Sequence, residues 1–571
     1  MKASSLMALF CLFSLVFGQT TAPTTAPTPS PLTNELDWWG LGTIIIFYII
    51  ILGVSIWAAR KRKDGSTEEM VLAGRNISGA VGVVTMIACW ICAGYMYGTV
   101  QGIADPSSGL AWTQATWCYS ICFFFGGLLF VKKMRERNYV TMLDPFQEKY
   151  GPIMTAFLYI PTVLGDLFWL GMTLATLGSA LGFLLNIETW IAVVVSAVFA
   201  ALYTFIGGLY AVVYIDLIQL TIMVVCIWVA IPFIWSSDAV GNVGDVAYKW
   251  VGSVAPGDWG IWLDYAFLMC FGGIPWQVYF QRVLACKTVK DAKVLSYASA
   301  VGVALVSIAP VILGCIAVAV DWSKTPIGEL TDYSNTLSFE IKYLCPKVVS
   351  YIALGGLTAA TMSTVDSSML ASATVFSVNI YKPLIHKKAG DVETMIVARI
   401  AVFVIAAAAV ALALSVKSVY DLWVMTSDYI YCILFPQLLL VLYYNKCNTY
   451  GAFVGFWVAL ILRLGGGEAF MGLNAFIPYP SWMPFRTLAM VCSLLSIVIV
   501  SWIFDYLIVQ KKCKVDFIGF YRPQIPTETP TTKATPVENK ESPAVEEKKE
   551  TTVEAPVAAP EATPVVSAAT N

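Results

Sequence analysis

The sequence predicts an all-α polytopic membrane protein with about thirteen transmembrane helices. Three observations carry that expectation. Hydrophobic residues make up 58% of the 571 and charged ones only 13%, against about 25% charge in a soluble domain. Mean hydropathy is +0.72. Apolar stretches of the ~20 residues that cross a bilayer recur at intervals of about 20 to 30 residues. The formal net charge is −2, and basic clusters sit beside the apolar stretches instead of forming a domain. The partner this implies is the lipid bilayer, with no nucleic acid.

Residues 1–18 have Lys2, a short apolar core and Gly18 before Gln19, the pattern of a cleavable signal peptide. Residues 19–38 follow as a Thr/Pro-rich extracellular linker. The transmembrane domain spans 39–510, with apolar centres near Ile45, Ala88, Phe124, Leu164, Val198, Val225, Leu268, Val306, Leu357, Ala406, Leu434, Val458 and Ile497. Lys and Arg concentrate in short cytoplasmic loops. With an outside start, the first span leads into Arg60–Lys63, the third into Lys132–Arg135, the seventh into Arg282–Lys293, the ninth into Lys382–Lys388 and the last into Lys511–Lys514. Signal peptide, span count and charge bias agree on an extracellular N-terminus and a cytoplasmic C-terminus. Residues 511–571, Thr/Pro/Glu/Ala-rich without apolar periodicity, read as a disordered cytosolic tail.

Two spans are interrupted. The second carries Trp90-Ile91-Cys92-Ala93-Gly94-Tyr95 and the seventh Gly272-Gly273-Ile274-Pro275-Trp276-Gln277. Transporters built from inverted repeats break one helix per half near the bilayer midplane and bind ion and substrate there. Spans two and seven are five apart, so each opens a five-helix repeat, about 78–236 and 262–444. Ordinary helix packing through small residues is the alternative, chiefly for Gly94.

The ninth span holds a carboxylate and a row of hydroxyls, Ala359 to Ser368. Ionisable groups inside a span mark ion or substrate paths, and hard oxygen ligands suit a hard cation. Ala360, Ser363 and Thr364 share a helix face at i, i+3 and i+4. The alternative is hydroxyls bonding back to the i−4 carbonyl. Asp366 reads as a second ion ligand or a charge balance. Asp166, Asp264, Asp428 and Glu468 also lie at or near spans, Asp264 and Glu468 with a plain loop-facing position as the alternative. The single histidine, His386, excludes a His-based metal site, and no P-loop Gly-Lys motif occurs. The chain is therefore read as no enzyme, with no cofactor beyond coupling ions. Most of the 14 cysteines sit in apolar runs and read as small buried hydrophobes.

Tyr139-Val140-Thr141-Met142-Leu143-Asp144-Pro145-Phe146-Gln147, Gly272-Gly273-Ile274-Pro275-Trp276-Gln277 with Tyr279–Leu284, and Phe435-Pro436-Gln437-Leu438 closely resemble the choline carriers of the sodium:solute symporter family. The resemblance runs from about Trp39 to Asp505. It implies a LeuT-type 5+5 inverted-repeat core and sodium-coupled, chloride-dependent choline import across the plasma membrane, supplying acetylcholine synthesis. A quaternary ammonium cannot donate a hydrogen bond and is best held by aromatic faces. The positions matching the family pattern are Trp90, Tyr119, Trp169, Trp276 and Trp423. The alternative for any tryptophan is an interfacial anchor, which fits least for Trp90 and Trp276 at the breaks. The resemblance further implies a sodium site of Ala360, Ser363 and Thr364 with backbone carbonyls of Ala88 and Ile91, and places Asp216 near the cytoplasmic sodium exit. Cys92-Ala93-Gly94 stands where these carriers have three glycines, which bears on the exact substrate. Another organic cation, a zwitterion, or a non-transporting sodium-dependent receptor are the open alternatives.

Overall fold

The computed structural model describes residues 36–60, 67–91, 93–415, 419–468 and 472–509. The expected signal peptide, nearly all of the linker, the cytosolic tail, Lys61–Lys63 and Cys92 lie outside the described residues. Among these there are helices and isolated bridges but no strand. The helices of nine residues or more are α1 (Trp38–Ala59), α2 (Gly79–Trp90), α3 (Ala93–Ala104), α4 (Ala115–Phe125), α5 (Pro152–Leu185), α6 (Thr189–Trp235), α7 (Trp259–Gly272), α8 (Gln277–Ala285) and α9 (Val289–Val306). They continue with α10 (Ile308–Ala319), α11 (Thr336–Leu344), α12 (Lys347–Val375), α13 (Asp391–Ser415), α14 (Val419–Tyr429), α15 (Phe435–Tyr443), α16 (Thr449–Gly465) and α17 (Phe485–Val509).

Among the described residues nine helices are long and apolar enough to cross a membrane, or ten if the bent pair α2–α3 is one span. All thirteen expected centres fall in helices. The count of thirteen, however, is reached only by dividing α6, by joining α7 to α8 across their break, and by including the shorter α16. In α6 the backbone leaves the helix at Gly208 (φ 59, ψ −161). A side chain there would be strained and would meet the Met70 carbonyl oxygen at 3.1 Å, so glycine permits the turn.

Side-chain oxygens start several helices by accepting orphan N–H groups. Asp37 accepts from Trp39 and Gly40 ahead of α1, Thr288 from Asp291 ahead of α9, and Asn448 from Gly451 ahead of α16. Two packed groups follow. The broken helices lie with α4, α9 and α10: α9 packs on α2 and α4, α10 on α3, and α7 on α4. A second group is α5, α6, α12 and α13, each packed on the other three. Burial separates centre from rim, because the apolar window of Leu422–Tyr443 is 94% buried and those of α1 and α17 only 22%. The rim exposes Ile45, Ile46 and Ile49 on α1 and Leu495, Ile499 and Trp502 on α17, apolar surface that suits lipid.

The last two helices are tied to the centre by charge. Asp428 on α14 takes a bidentate pair from Arg463 on α16, at 2.8 and 2.6 Å, and a third bond from Arg486 on α17 at 2.8 Å. Arg463 also pairs with Glu468, while Asp264 on α7 caps α17 through the N–H groups of Arg486 and Thr487. Asp264 and Glu468 are thus network members, and the loop-facing alternative falls for both. Arg463 lies five residues before Glu468, whereas the approach of Arg486 to Asp264 comes only from tertiary packing.

Arg463→Met, which leaves Asp428 buried without its bidentate partner, is expected to lower stability by about 3–5 kcal/mol. The thermal unfolding midpoint of detergent-solubilised protein measures it. An unchanged midpoint would mean that the network does not hold α16 in place.

Candidate functional site

Both interruptions stand where the sequence places them. The pair α2–α3 bends by 51°, and Ile91 ends α2 with a non-helical backbone (φ −89, ψ 82). Between α7 and α8 the chain runs through Gly273, Ile274, Pro275 and an extended Trp276 (φ −123, ψ 132). The glycines are steric requirements. A Cβ on Gly272 would lie 2.5 Å from the Ser427 carbonyl oxygen, and one on Gly273 would lie 2.9 Å from Cys122 Sγ and 3.1 Å from the Trp90 ring.

Around these breaks the five sequence-selected aromatics form one connected cluster. Trp169 on α5 meets Trp276 edge-on at 5.0 Å, and Trp276 meets Trp90 at 4.7 Å. Trp90 meets Tyr119 of α4 at 5.6 Å, and Trp423 of α14 donates its indole N–H to the Tyr119 hydroxyl at 3.0 Å. Each of the five is at most 2% exposed, so none is an interfacial anchor. Two further rings belong to the cluster. Phe123 lies 4.6 Å from Trp90, and Tyr95, beyond the first break, lies 5.4 Å from Trp423. Phe123 stands one helical turn after Tyr119, a signal that was available; Tyr95 is placed by the bend.

A second cluster, of oxygens, lies between α2 and α12. Ser363 Oγ donates to the Ala88 carbonyl at 3.1 Å and Thr364 Oγ1 to the Cys89 carbonyl at 3.2 Å. Thr358 and Thr361 instead bond back within α12, to Gly355 and Leu357. The back-bonding alternative describes Thr358 and Thr361, and Ser363 and Thr364 reach the broken helix. Ala360 stands one turn before Thr364 on α12. Of the two predicted carbonyls, Ala88 is engaged. Ile91 lies at the break without a recorded bond to α12, and Cys89, which sequence reasoning passed over, takes the second hydroxyl.

Asp216 and Asp366, both fully buried, come together beside Arg282. Arg282 of α8 lies 3.4 Å from Asp216 and donates to Ser367. Ser367 in turn donates to Asp366 at 3.2 Å, and Thr85 on α2 donates to Asp216. One oxygen of each aspartate has no hydrogen-bond partner among the described residues. Arg282, Thr85 and Ser367 complete this polar group; Ser367 belongs to the hydroxyl row of the ninth span, whereas Arg282, expected to open a basic cytoplasmic loop, is instead buried within α8, where it pairs with Asp216. No group of three His, Cys, Asp or Glu side chains suited to a metal occurs among the described residues.

Near the C-terminal end of α8, side chains bond to backbone acceptors of neighbouring segments. Arg135 donates to the Cys286 carbonyl at 3.0 Å. Arg75 donates to the Asn138 and Tyr139 carbonyls at 2.8 and 3.1 Å, and Gln281 to the Val71 carbonyl at 3.0 Å.

The profile of the sodium:solute symporter family matches residues 70–459. The high-affinity choline transporter 1 of Drosophila melanogaster is 43% identical, covering 81% of this chain and 78% of that protein. Its Homo sapiens counterpart is 41% identical, covering 82% and 85%. Among solved structures, a sodium-coupled sialic acid symporter in its substrate-bound outward-open state superposes with a TM-score of 0.69. It is 15% identical and covers 82% of this chain and 98% of its own; at that identity the likeness speaks for the fold.

Gly272→Val is expected to cost about 1–3 kcal/mol of stability, since the added atoms meet backbone that cannot rotate away. The midpoint of thermal unfolding against that of Gly42→Val, whose Cβ would meet nothing within 4 Å, provides the comparison; equal midpoints would contradict the steric account of the break.

Proposed function

This chain belongs to the sodium:solute symporter family, and on that premise we propose that it imports choline together with sodium. The observation that carries the substrate is the seven-ring aromatic cluster at the two helix breaks. Ring faces are what a quaternary ammonium can use, whereas a sugar would need a dense set of hydrogen-bonding groups. Trp90 and Trp169 also keep buried indole N–H groups without an acceptor among the described residues, and a hydroxyl oxygen on the substrate would serve as one. The names of the 40%-class relatives point to the same solute.

In this reading sodium binds where Ala88 and Ala360 offer carbonyls and Ser363 and Thr364 hydroxyls, with Ile91 and Cys89 beside them. The ion joins α2 to α12, that is, one packed group to the other, and favours an outward-facing arrangement. Choline enters among Trp90, Tyr119, Trp169, Trp276 and Trp423. The outer side then closes, the broken-helix group tilts against the other, and the cytoplasmic lacing of Arg75 and Arg135 releases. Asp216 and Asp366 mark the route by which sodium leaves. No covalent bond changes, so the chain is a symporter and not an enzyme. The membrane potential contributes about 2.3 kcal/mol per charge per 100 mV. Chloride as a co-ion, the plasma membrane as location, an extracellular N-terminus and a cytoplasmic C-terminus belong to the same proposal, as does supply of acetylcholine synthesis in a cholinergic cell.

Radiolabelled choline uptake into expressing cells is expected to fall to background when N-methylglucamine replaces sodium, and to drop when gluconate replaces chloride. Uptake indifferent to sodium would refute the coupling. Better competition by proline or another zwitterion than by choline would move the substrate to that class.

Trp90→Ala and Trp276→Ala are each expected to raise the apparent KM for choline roughly 30-fold, the equivalent of the ~2 kcal/mol of a desolvated cation–π contact. Ser363→Ala, by contrast, is expected to raise the sodium concentration needed for half-maximal uptake. The two parameters moving together in all three variants would argue against separate sites.

A further inference from the structure

One buried carboxylate next to the aromatic cluster is not used by anything above. Asp166 lies on α5 three residues before Trp169, on the same helix face, and is fully buried. Its Oδ1 accepts the indole N–H of Trp276, and its Oδ2 accepts the hydroxyl of Ser372 on α12. Two of the other buried aspartates, Asp216 and Asp428, differ from it in having counter-charges. Asp216 has Arg282 at 3.4 Å, and Asp428 has Arg463 and Arg486 at 2.6 and 2.8 Å. Among the described residues no Lys or Arg pairs with Asp166.

Its position gives the group two effects. An indole nitrogen can only donate, so the bond to Asp166 fixes which way the Trp276 ring faces. The ring sits on the break between α7 and α8, while Asp166 and Ser372 sit on α5 and α12. The bond therefore ties the substrate-facing wall of one packed group to the frame of the other. In its ionised form the carboxylate that accepts the N–H also pushes electron density into the indole and leaves an uncompensated negative charge behind its ring. Both strengthen the attraction of the ring face for a cation, and a buried charge acts at low dielectric. An uncharged molecule of the same shape gains from neither.

We propose that Asp166 is a positioning residue of the cage: its carboxylate orients Trp276 through the indole N–H and supplies the counter-charge by which the site selects a cation over an uncharged isostere. The proposal rests on the choline reading and adds to it the origin of charge selectivity, placed outside the ring of aromatics. Ser372 holds the second oxygen so that the carboxylate keeps its face to the indole.

The experiment is displacement of radiolabelled choline from membranes bearing the full chain, at saturating sodium, by unlabelled choline and by 3,3-dimethylbutan-1-ol, in which carbon replaces the quaternary nitrogen. For the wild type, choline is expected to compete far better than the alcohol. In Asp166→Asn, which keeps an acceptor for the indole but removes the charge, the ratio of the two constants is expected to fall by about tenfold or more, the scale of one charge-assisted hydrogen bond. The sodium dependence of binding is expected to stay the same, and Asp166→Glu to restore part of the ratio. A purely structural role predicts equal weakening of both ligands and an unchanged ratio, and that result overturns the proposal. Should Asp166→Asn not reach the membrane, Trp276→Phe supplies the same test, since it keeps a ring but removes the N–H; an unchanged ratio there is equally fatal. A wild-type chain that shows no sodium-dependent choline binding overturns the choline reading, and this proposal with it. Wild-type binding with an unaltered ratio in the variants overturns the role of Asp166 alone.

Discussion

In the hydrocarbon layer a backbone carbonyl or N–H without a partner costs several kcal/mol, and this chain interrupts two helices there. Much of its structure follows from satisfying the groups those interruptions release. At the end of α2 the Ala88 and Cys89 carbonyls receive the hydroxyls of Ser363 and Thr364. At the other break Gly272 and Gly273 allow backbone and ring to approach within distances that no side chain tolerates. Gln277, at the start of α8, accepts the Met142 N–H at 2.7 Å. The same groups that repair the backbone are those a cation can use, so repair and ion binding share atoms.

Charge follows a similar economy of place. Four of the buried aspartates differ in counter-charge. Asp428 is neutralised by two arginines and serves as a fastener for α16 and α17. Asp216 and Asp366 share Arg282 and its serine partner and sit against the oxygen cluster. Asp166 faces only neutral donors, one of them in the aromatic cluster.

The aromatic cluster depends on both packed groups. Trp90 and Trp276 sit at the breaks, Tyr119, Tyr95 and Phe123 on helices beside them, Trp169 on the opposing group, and Trp423 on α14. A relative movement of the two groups must therefore change the spacing of the rings, most directly between Trp169 and Trp276.

Composition and apolar length alone determined that this is a multi-pass membrane protein, because ~20 apolar residues in a row admit few other readings. Gly-Gly-Ile-Pro located one break, and the three-and-four spacing of Ala360, Ser363 and Thr364 located one side of the oxygen cluster, since both are local properties of a single segment. What lies across a helix interface is not local. Only the tertiary structure decided that Cys89 stands beside Ala88 as an acceptor, that Tyr95 and Phe123 join the rings, and that Arg463 and Arg486 converge on Asp428. It also decided that the division expected between the centres near Val198 and Val225 is a turn at Gly208. The physical reason is common to all of these: partners far apart in the sequence, such as Asp428 and Arg463 or Tyr95 and Trp423, are chosen by packing and by the need to pair buried polar groups, neither of which leaves a period in the sequence.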